Sequence, residues 1–299
     1  MKYPHILAAF ASEIWAMELE KLLAITDLLV MQAEGGKFSA EEIEARIAPQ
    51  TAASVARREG KVAIVPLRGI IAPRASLVAN SSTGGGTTAE GFIEAIDRMA
   101  ADDSVKAIVV DADTPGGNVV NIDEASAAVA AVRGSKPIVV QVTGNLASAG
   151  YWIGASADEV VLSPSSAAGA IGIRMAYDDV SAALEQEGIK REIIAAGKYK
   201  GEGVLGPLSE EARSYLQGRI DDYYGMFVDR VAAGRGVTTD AVRNGFGQGR
   251  MLGAKAAVRE GMADRVATMR ETLARFGVGA EPAPKRFAAA REKRALALR

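Results

Sequence analysis

Short apolar runs punctuated by glycine, proline and aspartate alternate with capped, helix-length segments through the middle of this chain. Val62-Ala63-Ile64-Val65-Pro66-Leu67, Val105 to Val110, Pro137-Ile138-Val139-Val140-Gln141-Val142 and Glu159-Val160-Val161-Leu162 predict buried strands. Ala170-Ile171-Gly172-Ile173 and the run through Ile193-Ile194 predict two more. Thr87-Thr88-Ala89-Glu90 predicts a capped helix to about Ala101, Asn121-Ile122-Asp123-Glu124 one to Arg133, and Asp178 to Glu187 another. Strands alternating with helices of this length mean βα units and a largely parallel sheet, an α/β fold.

The pattern changes at both ends. Ile14, Leu19, Leu22, Leu23, Ile25, Leu28 and Leu29 recur at helical spacing, and Ser39-Ala40-Glu41-Glu42 has the form of a capping box, so residues 1–58 read as a helical arm. The main domain spans 59–276. After Pro207 it turns helical, with a long helix from Ser209 to about Ala233 and shorter ones near 238–244 and 253–260. Residues 277–299 form a polar tail, with six Lys/Arg against two Glu after Gly279.

Composition narrows the chemistry. The chain has 299 residues and a net charge of −2, which gives ample material for a core and no basic excess of the kind nucleic-acid binding needs. It has no cysteine and a single histidine, His5, so thiol chemistry is excluded and a catalytic zinc site is disfavoured. Glu13, Glu18 and Glu20 interrupt the apolar N-terminal stretch, and the chain reads as soluble and unexported.

Against that background one stretch stands out: Asn145-Leu146-Ala147-Ser148-Ala149-Gly150-Tyr151-Trp152, at the end of a buried strand and before a buried helix. Small neighbours at such a junction let a fold present a hydroxyl, which makes Ser148 a candidate nucleophile. Leu146 stands where a G-x-S-x-G elbow requires glycine. A histidine five residues from the N-terminus is poorly placed to be its base, since termini are seldom ordered. A lysine can serve instead if burial brings its pKa down from about 10.4. Candidates are Lys198 and Lys200 in Ala196-Gly197-Lys198-Tyr199-Lys200-Gly201, a stretch equally readable as a solvated loop. Thr114-Pro115-Gly116-Gly117, also at a strand end, allows close backbone approach to a developing oxyanion, and the Ala149 N–H is the natural second donor. A tight connection explains Pro-Gly-Gly equally well.

Taken together and in this order, these residues resemble the signal peptide peptidase A family of serine proteases. Ala147-Ser148-Ala149-Gly150-Tyr151-Trp152 is similar to the family's nucleophile motif and Gly197-Lys198-Tyr199-Lys200 to its lysine motif. Thr114 to Gly117 is similar to its oxyanion loop, and Pro164 to Ile173 to its Pro-Ser-x-x-Gly-Ser-Ile-Gly stretch. Ala149 and Ala170 depart from the usual glycine and serine. The resemblance covers roughly residues 60–270. It implies a ClpP/crotonase-like fold of repeated β-β-α units and a Ser148–Lys200 dyad. It also implies an oxyanion hole from Gly117 or Gly116 with Ala149, no metal or cofactor, and a ring-like homo-oligomer.

The arm, including Gly36-Lys37-Phe38-Ser39-Ala40-Glu41-Glu42-Ile43, resembles the phage head-maturation and capsid-assembly branch. Its substrates would be scaffold, capsid or portal proteins, and its location the host cytoplasm or the prohead, with no membrane and no specific nucleic acid as partner. With about 20 residues after the domain, a built-in scaffold region is expected to be absent or vestigial. Two alternatives remain: a host cytosolic peptidase that degrades released peptides, and a catalytically idle assembly protein.

Overall fold

The computed structural model describes residues 13–18, 56–74, 86–190, 192–202 and 206–279. His5, the helical readings at 19–35 and 39–47, and most of the basic tail lie outside the described residues.

The strands are β1 (Trp15–Met17), β2 (Arg57–Glu59), β3 (Val62–Arg68), β4 (Ile71–Ala72), β5 (Thr87–Thr88), β6 (Ala107–Thr114), β7 (Gly116–Asn118), β8 (Ile138–Ala147), β9 (Glu159–Leu162), β10 (Ala167–Gly169), β11 (Met251–Gly253) and β12 (Arg265–Val266). The helices are α1 (Ala89–Ala101), α2 (Ile122–Val132), α3 (Ala149–Gly154), α4 (Ser181–Gln186), α5 (Glu210–Arg235), α6 (Thr239–Asn244), α7 (Ala254–Arg259) and α8 (Met269–Ala274).

A large sheet runs β11-β10-β8-β6-β3-β2, with β9 also on β8 and β12 on β9. Its centre, β3, β6 and β8, is parallel. Near-continuous apolar runs suit such strands, because helices and a second layer cover both faces. A small sheet, β1-β7-β4-β5, lies beyond the C-terminal ends of β3 and β6. The chain passes from one sheet to the other twice: from β3 across Gly69 into β4, and from β6 across Pro115 into β7. Each crossing is followed by a helix, so the repeated β-β-α units implied by the resemblance are present.

Several predicted elements fall where the pattern puts them. Thr88 caps α1, its hydroxyl accepting from the Gly91 N–H at 3.1 Å. Ser209 caps α5 through the Ala212 N–H at 3.0 Å, and α5 ends on Gly236 in the left-handed conformation. Only Ala212 and the C-terminal residues Phe227, Val228, Val231 and Ala232 of α5 are buried. Phe227 stacks on Trp152 with ring centroids 4.8 Å apart.

Four readings differ from the structure. Trp15–Met17, read as helical, is a strand, because its backbone finds an open edge at β7. Gly116–Asn118, read as a turn, is a strand because it is paired on both edges, with β1 and β4. The strand expected at Ala170–Ile173 is shifted to Ala167–Gly169, where β8 and β11 supply partners, and Ala170 itself has φ 53°. Ile193-Ile194 is not a strand: no strand among the described residues pairs with it, and Ile194 is 93% exposed. The lysine loop therefore does not follow a sheet strand as expected.

Candidate active site

β8 continues to Ala147 and α3 begins at Ala149, which leaves Ser148 alone between them. Its φ of 52° and ψ of −116° are rare for a side chain with a Cβ. Such strain persists only where the surroundings impose it, and it collects at reactive sites. Here the surroundings are explicit. The Ser148 N–H donates to the Gly169 carbonyl at 2.8 Å, and its carbonyl accepts from the Trp152 N–H at 2.9 Å. β10 runs alongside β8 in register from Asn145 to Ala147. The residue is 1% exposed and its hydroxyl makes no hydrogen bond among the described residues.

α3 is locked from behind. The Tyr151 hydroxyl donates to the Met262 carbonyl at 2.9 Å, and burial pushes its pKa well above the ordinary value, so it stays a neutral donor. Trp152 Nε1 donates to Asp123 Oδ1 at 3.3 Å. Its carbonyl accepts from the Ser126 hydroxyl at 2.9 Å. At the front, Ala149 is the first residue of α3, so its N–H has no intrahelical acceptor and is available to a ligand.

The Gly116-Gly117 strand lies against this turn. A Cβ built on Gly116 would stand 2.9 Å from Ser148 Cβ, and Gly116 has φ 97°, so close approach and backbone conformation both require glycine there. Thr114 organises the corner. Its hydroxyl donates to the Gly69 carbonyl at 2.6 Å and accepts from the Gly116 N–H at 3.1 Å. The Gly116 N–H is thus consumed inside the corner, leaving Gly117 as the outward donor of the pair. Thr114 is fully buried, and its methyl group would be 2.3 Å from a Cβ on Gly150. Sequence reasoning gave Thr114 only as part of a motif and missed this role. The signal available was its place at the last position of a buried strand before proline.

Ser148, Gly116, Gly117 and Ala149 are therefore brought together. Lys200 is not. It sits in an exposed turn, and its ammonium has no hydrogen bond or ion pair among the described residues. Lys198 is engaged instead: its Nζ donates to the Tyr199 hydroxyl at 2.6 Å and lies 3.4 Å from Glu211. The Tyr199 hydroxyl in turn donates to Glu211 at 2.7 Å. The segment around this turn is poorly covered, with Ile189 44%, Ile193 42% and Tyr199 52% exposed.

No helix among the described residues is long and apolar enough to cross a membrane. Residues 130–281, half of the chain, match the family described as Peptidase family S49. The chain is 28% identical to the capsid assembly protease C of Escherichia phage lambda over 247 residues, 80% of this chain and 55% of that protein. It is 30% identical to protease 4 of Salmonella typhi over 217 residues, 72% of this chain and 34% of that protein. It thus spans at most about half the length of these curated relatives. Among solved structures, a membrane-bound stomatin-specific protease matches with 16% identity and a TM-score of 0.43, covering 73% of this chain and 84% of that one.

Proposed function

Because this chain belongs to peptidase family S49, we propose that it is a serine endopeptidase with Ser148 as nucleophile and Lys200 as general base. The observation that carries this reading is Ser148 itself, held in a strained conformation between strand and helix with glycine backbone against it. The Ser148 hydroxyl attacks the scissile carbonyl while the Lys200 amine takes its proton. The oxyanion is held by the N–H groups of Gly117 and Ala149. The intermediate collapses as Lys200 returns the proton to the leaving amine, and water then releases the acyl group by the reverse route.

In this reading Lys200 reaches a serine on another copy of the chain. Its ammonium, unpaired among the described residues, and the exposed isoleucines near it support that arrangement, since a second copy would cover the apolar surface. A homo-oligomer, ring-like in the family resemblance, follows. The capsid-assembly role, with scaffold, capsid or portal proteins as substrates, is supported by the likeness to the lambda protease across most of this chain.

The test compares cleavage of an unfolded protein, and of the candidate head proteins, by wild type, Ser148→Ala and Lys200→Ala. Either substitution is expected to lower the rate by at least about 10³-fold. Mixing the two inactive variants should restore activity if the dyad forms between copies. Undiminished cleavage by both variants would sink the dyad, and no recovery on mixing would sink its assembly between copies.

A further inference from the structure

The backbone strip beside the nucleophile is already filled, by β1. On one edge β1 runs antiparallel to β7, pairing Trp15 with Asn118, Ala16 with Gly117 and Met17 with Gly116. The Glu18 N–H donates to the Pro115 carbonyl at 2.8 Å, and the Val119 N–H to the Ile14 carbonyl at 3.4 Å. These bonds flank the Ala16–Gly117 pair two residues away on either side. Hydrogen-bonded pairs alternate along an antiparallel ladder, so Ala16 and Gly117 form the next bonded pair. The Ala16 carbonyl thereby rests on the Gly117 N–H. On its other edge β1 is held by Arg174: the Trp15 N–H donates to the Arg174 carbonyl at 2.9 Å, and the Arg174 N–H to the Trp15 carbonyl at 3.0 Å.

The location is the reacting centre. A Cβ on Gly116 would stand 2.2 Å from the Ala16 carbonyl oxygen and 2.9 Å from Ser148 Cβ, so the three groups converge at one point. Ile14, Trp15, Ala16 and Met17 are 7%, 7%, 0% and 1% exposed, so the strand is itself buried in this seat. A peptide attacked by Ser148 has to present an extended backbone with one carbonyl on the oxyanion donor. β1 is extended, is paired on both edges, and puts the Ala16 carbonyl on the donor assigned to that task. A substrate strand and β1 would therefore compete for the same N–H and C=O groups.

The seat is also imperfect. β1 is three residues long, and just after it Glu18 Oε2 is buried with no hydrogen-bond partner among the described residues. An unpaired buried acceptor is unfavourable and offsets part of what the ladder contributes.

We propose that the strip between β7 and Arg174 is the groove for an extended peptide substrate, and that residues 14–18 occupy it as a resident pseudosubstrate until displaced. This rests on the serine endopeptidase reading for its chemistry, but the occupancy can be tested without it. Trp15 and Asn118 form a non-hydrogen-bonded antiparallel pair, whose Cα separation of about 4.5 Å suits a disulfide. The chain has no cysteine of its own, so Trp15→Cys with Asn118→Cys makes a single, reversible lock. Oxidation is expected to lower cleavage of an unfolded protein at least about tenfold, and reduction to restore it; equal rates in the two states would overturn the proposal.

A second arm uses the same pair in the Ser148→Ala chain and a fluorescein-labelled peptide copying residues 11–21. The peptide is expected to bind the reduced form and not the oxidised one; equal anisotropy in both would overturn the proposal. This arm needs no hydrolysis, so a chain that cleaves nothing yet shows redox-dependent binding defeats the endopeptidase reading and leaves the groove intact. Ala16→Asp guards against a lock that misfolds. It places a carboxylate at a fully buried position and should raise peptide affinity about tenfold in the Ser148→Ala chain. Unchanged affinity counts against the proposal.

Discussion

Arg230 grips Asp123 through two parallel hydrogen bonds, Nε to Oδ1 at 2.9 Å and Nη2 to Oδ2 at 2.7 Å, across 107 residues of sequence. The same carboxylate receives the Trp152 indole N–H, four residues beyond Ser148. One ion pair thus fastens α5 to the α2–α3 layer that backs the nucleophile. A bidentate pair at about three-tenths exposure is stronger than a surface salt bridge, because planar charge-assisted bonds fix its geometry.

Arg230→Ala is expected to destabilise the fold by about 1–3 kcal/mol, the range for losing charge-assisted hydrogen bonds. The effect should depend on pH. Hydrogen bonding from Arg230 holds the Asp123 carboxyl below its ordinary value, against the opposing effect of burial. A depressed folded-state pKa contributes stability that is present above the unfolded value of about 3.9 and lost as pH falls through the folded one. Denaturant unfolding at neutral and acid pH checks this: the gap between wild type and variant should shrink below the ordinary aspartate range.

Gly150→Ala should be destabilising by about 1–3 kcal/mol, because its Cβ would press on the Thr114 methyl group at 2.3 Å. Thr114→Ser removes that methyl and keeps the hydroxyl that joins Gly69 to Gly116. The double variant should therefore be more stable than the two single effects added together. Thermal melts of the four chains measure the coupling, and simple additivity would refute the contact.

Ser148→Gly and Ser148→Ala should part company in stability while both lose activity. Glycine accepts φ 52° without strain and alanine does not. The glycine variant is expected to be the more stable by about 1 kcal/mol, read as a higher melting temperature. A glycine variant no more stable than the alanine one would mean that the serine is not strained.

Tyr151→Phe leaves the Met262 carbonyl without its donor in a fully buried place, and should cost about 1–3 kcal/mol. The raised pKa of Tyr151 gives the wild type an alkaline dependence of its own. Its contribution is complete below the ordinary tyrosine value of about 10 and declines as pH rises beyond it, toward the folded pKa. Unfolding at neutral and strongly alkaline pH should show that decline in the wild type and not in the variant.

The central strands and long helices were legible because local and tertiary preferences agree there. Val62–Leu67 is apolar at every position and buried at every position, and Thr88 and Ser209 cap the helices they were expected to cap. The misread elements are those whose conformation depends on a distant partner. Pro-Gly-Gly is a local turn signal, yet Gly116–Asn118 is a strand because two other strands flank it. Trp15–Met17 lies within a helically spaced stretch and is extended because β7 offers it an edge.

The candidate site shows the same division. That Ser148 and Ala149 would lie near Gly116 and Gly117 could be read from sequence because the first pair follows directly on β8 and the second, across Pro115, on β6, neighbouring strands of the core. The place of Lys200 could not be read, since Ile193 and Ile194 have strand-like side chains but no pairing strand among the described residues. Nor could the inward turn of the Gly116 N–H, which follows from the Thr114 rotamer rather than from residue type.

The chain contains two tryptophans, and both lie at this centre. Trp152 is stacked on Phe227 behind the nucleophile, while Trp15 lies on the strand in front of it. Emission from the first should report on the rigid wall and emission from the second on whatever fills the opening. Unlabelled protein thus carries its own two-channel optical gauge: a Trp152→Phe chain would watch the front, and a Trp15→Phe chain the back.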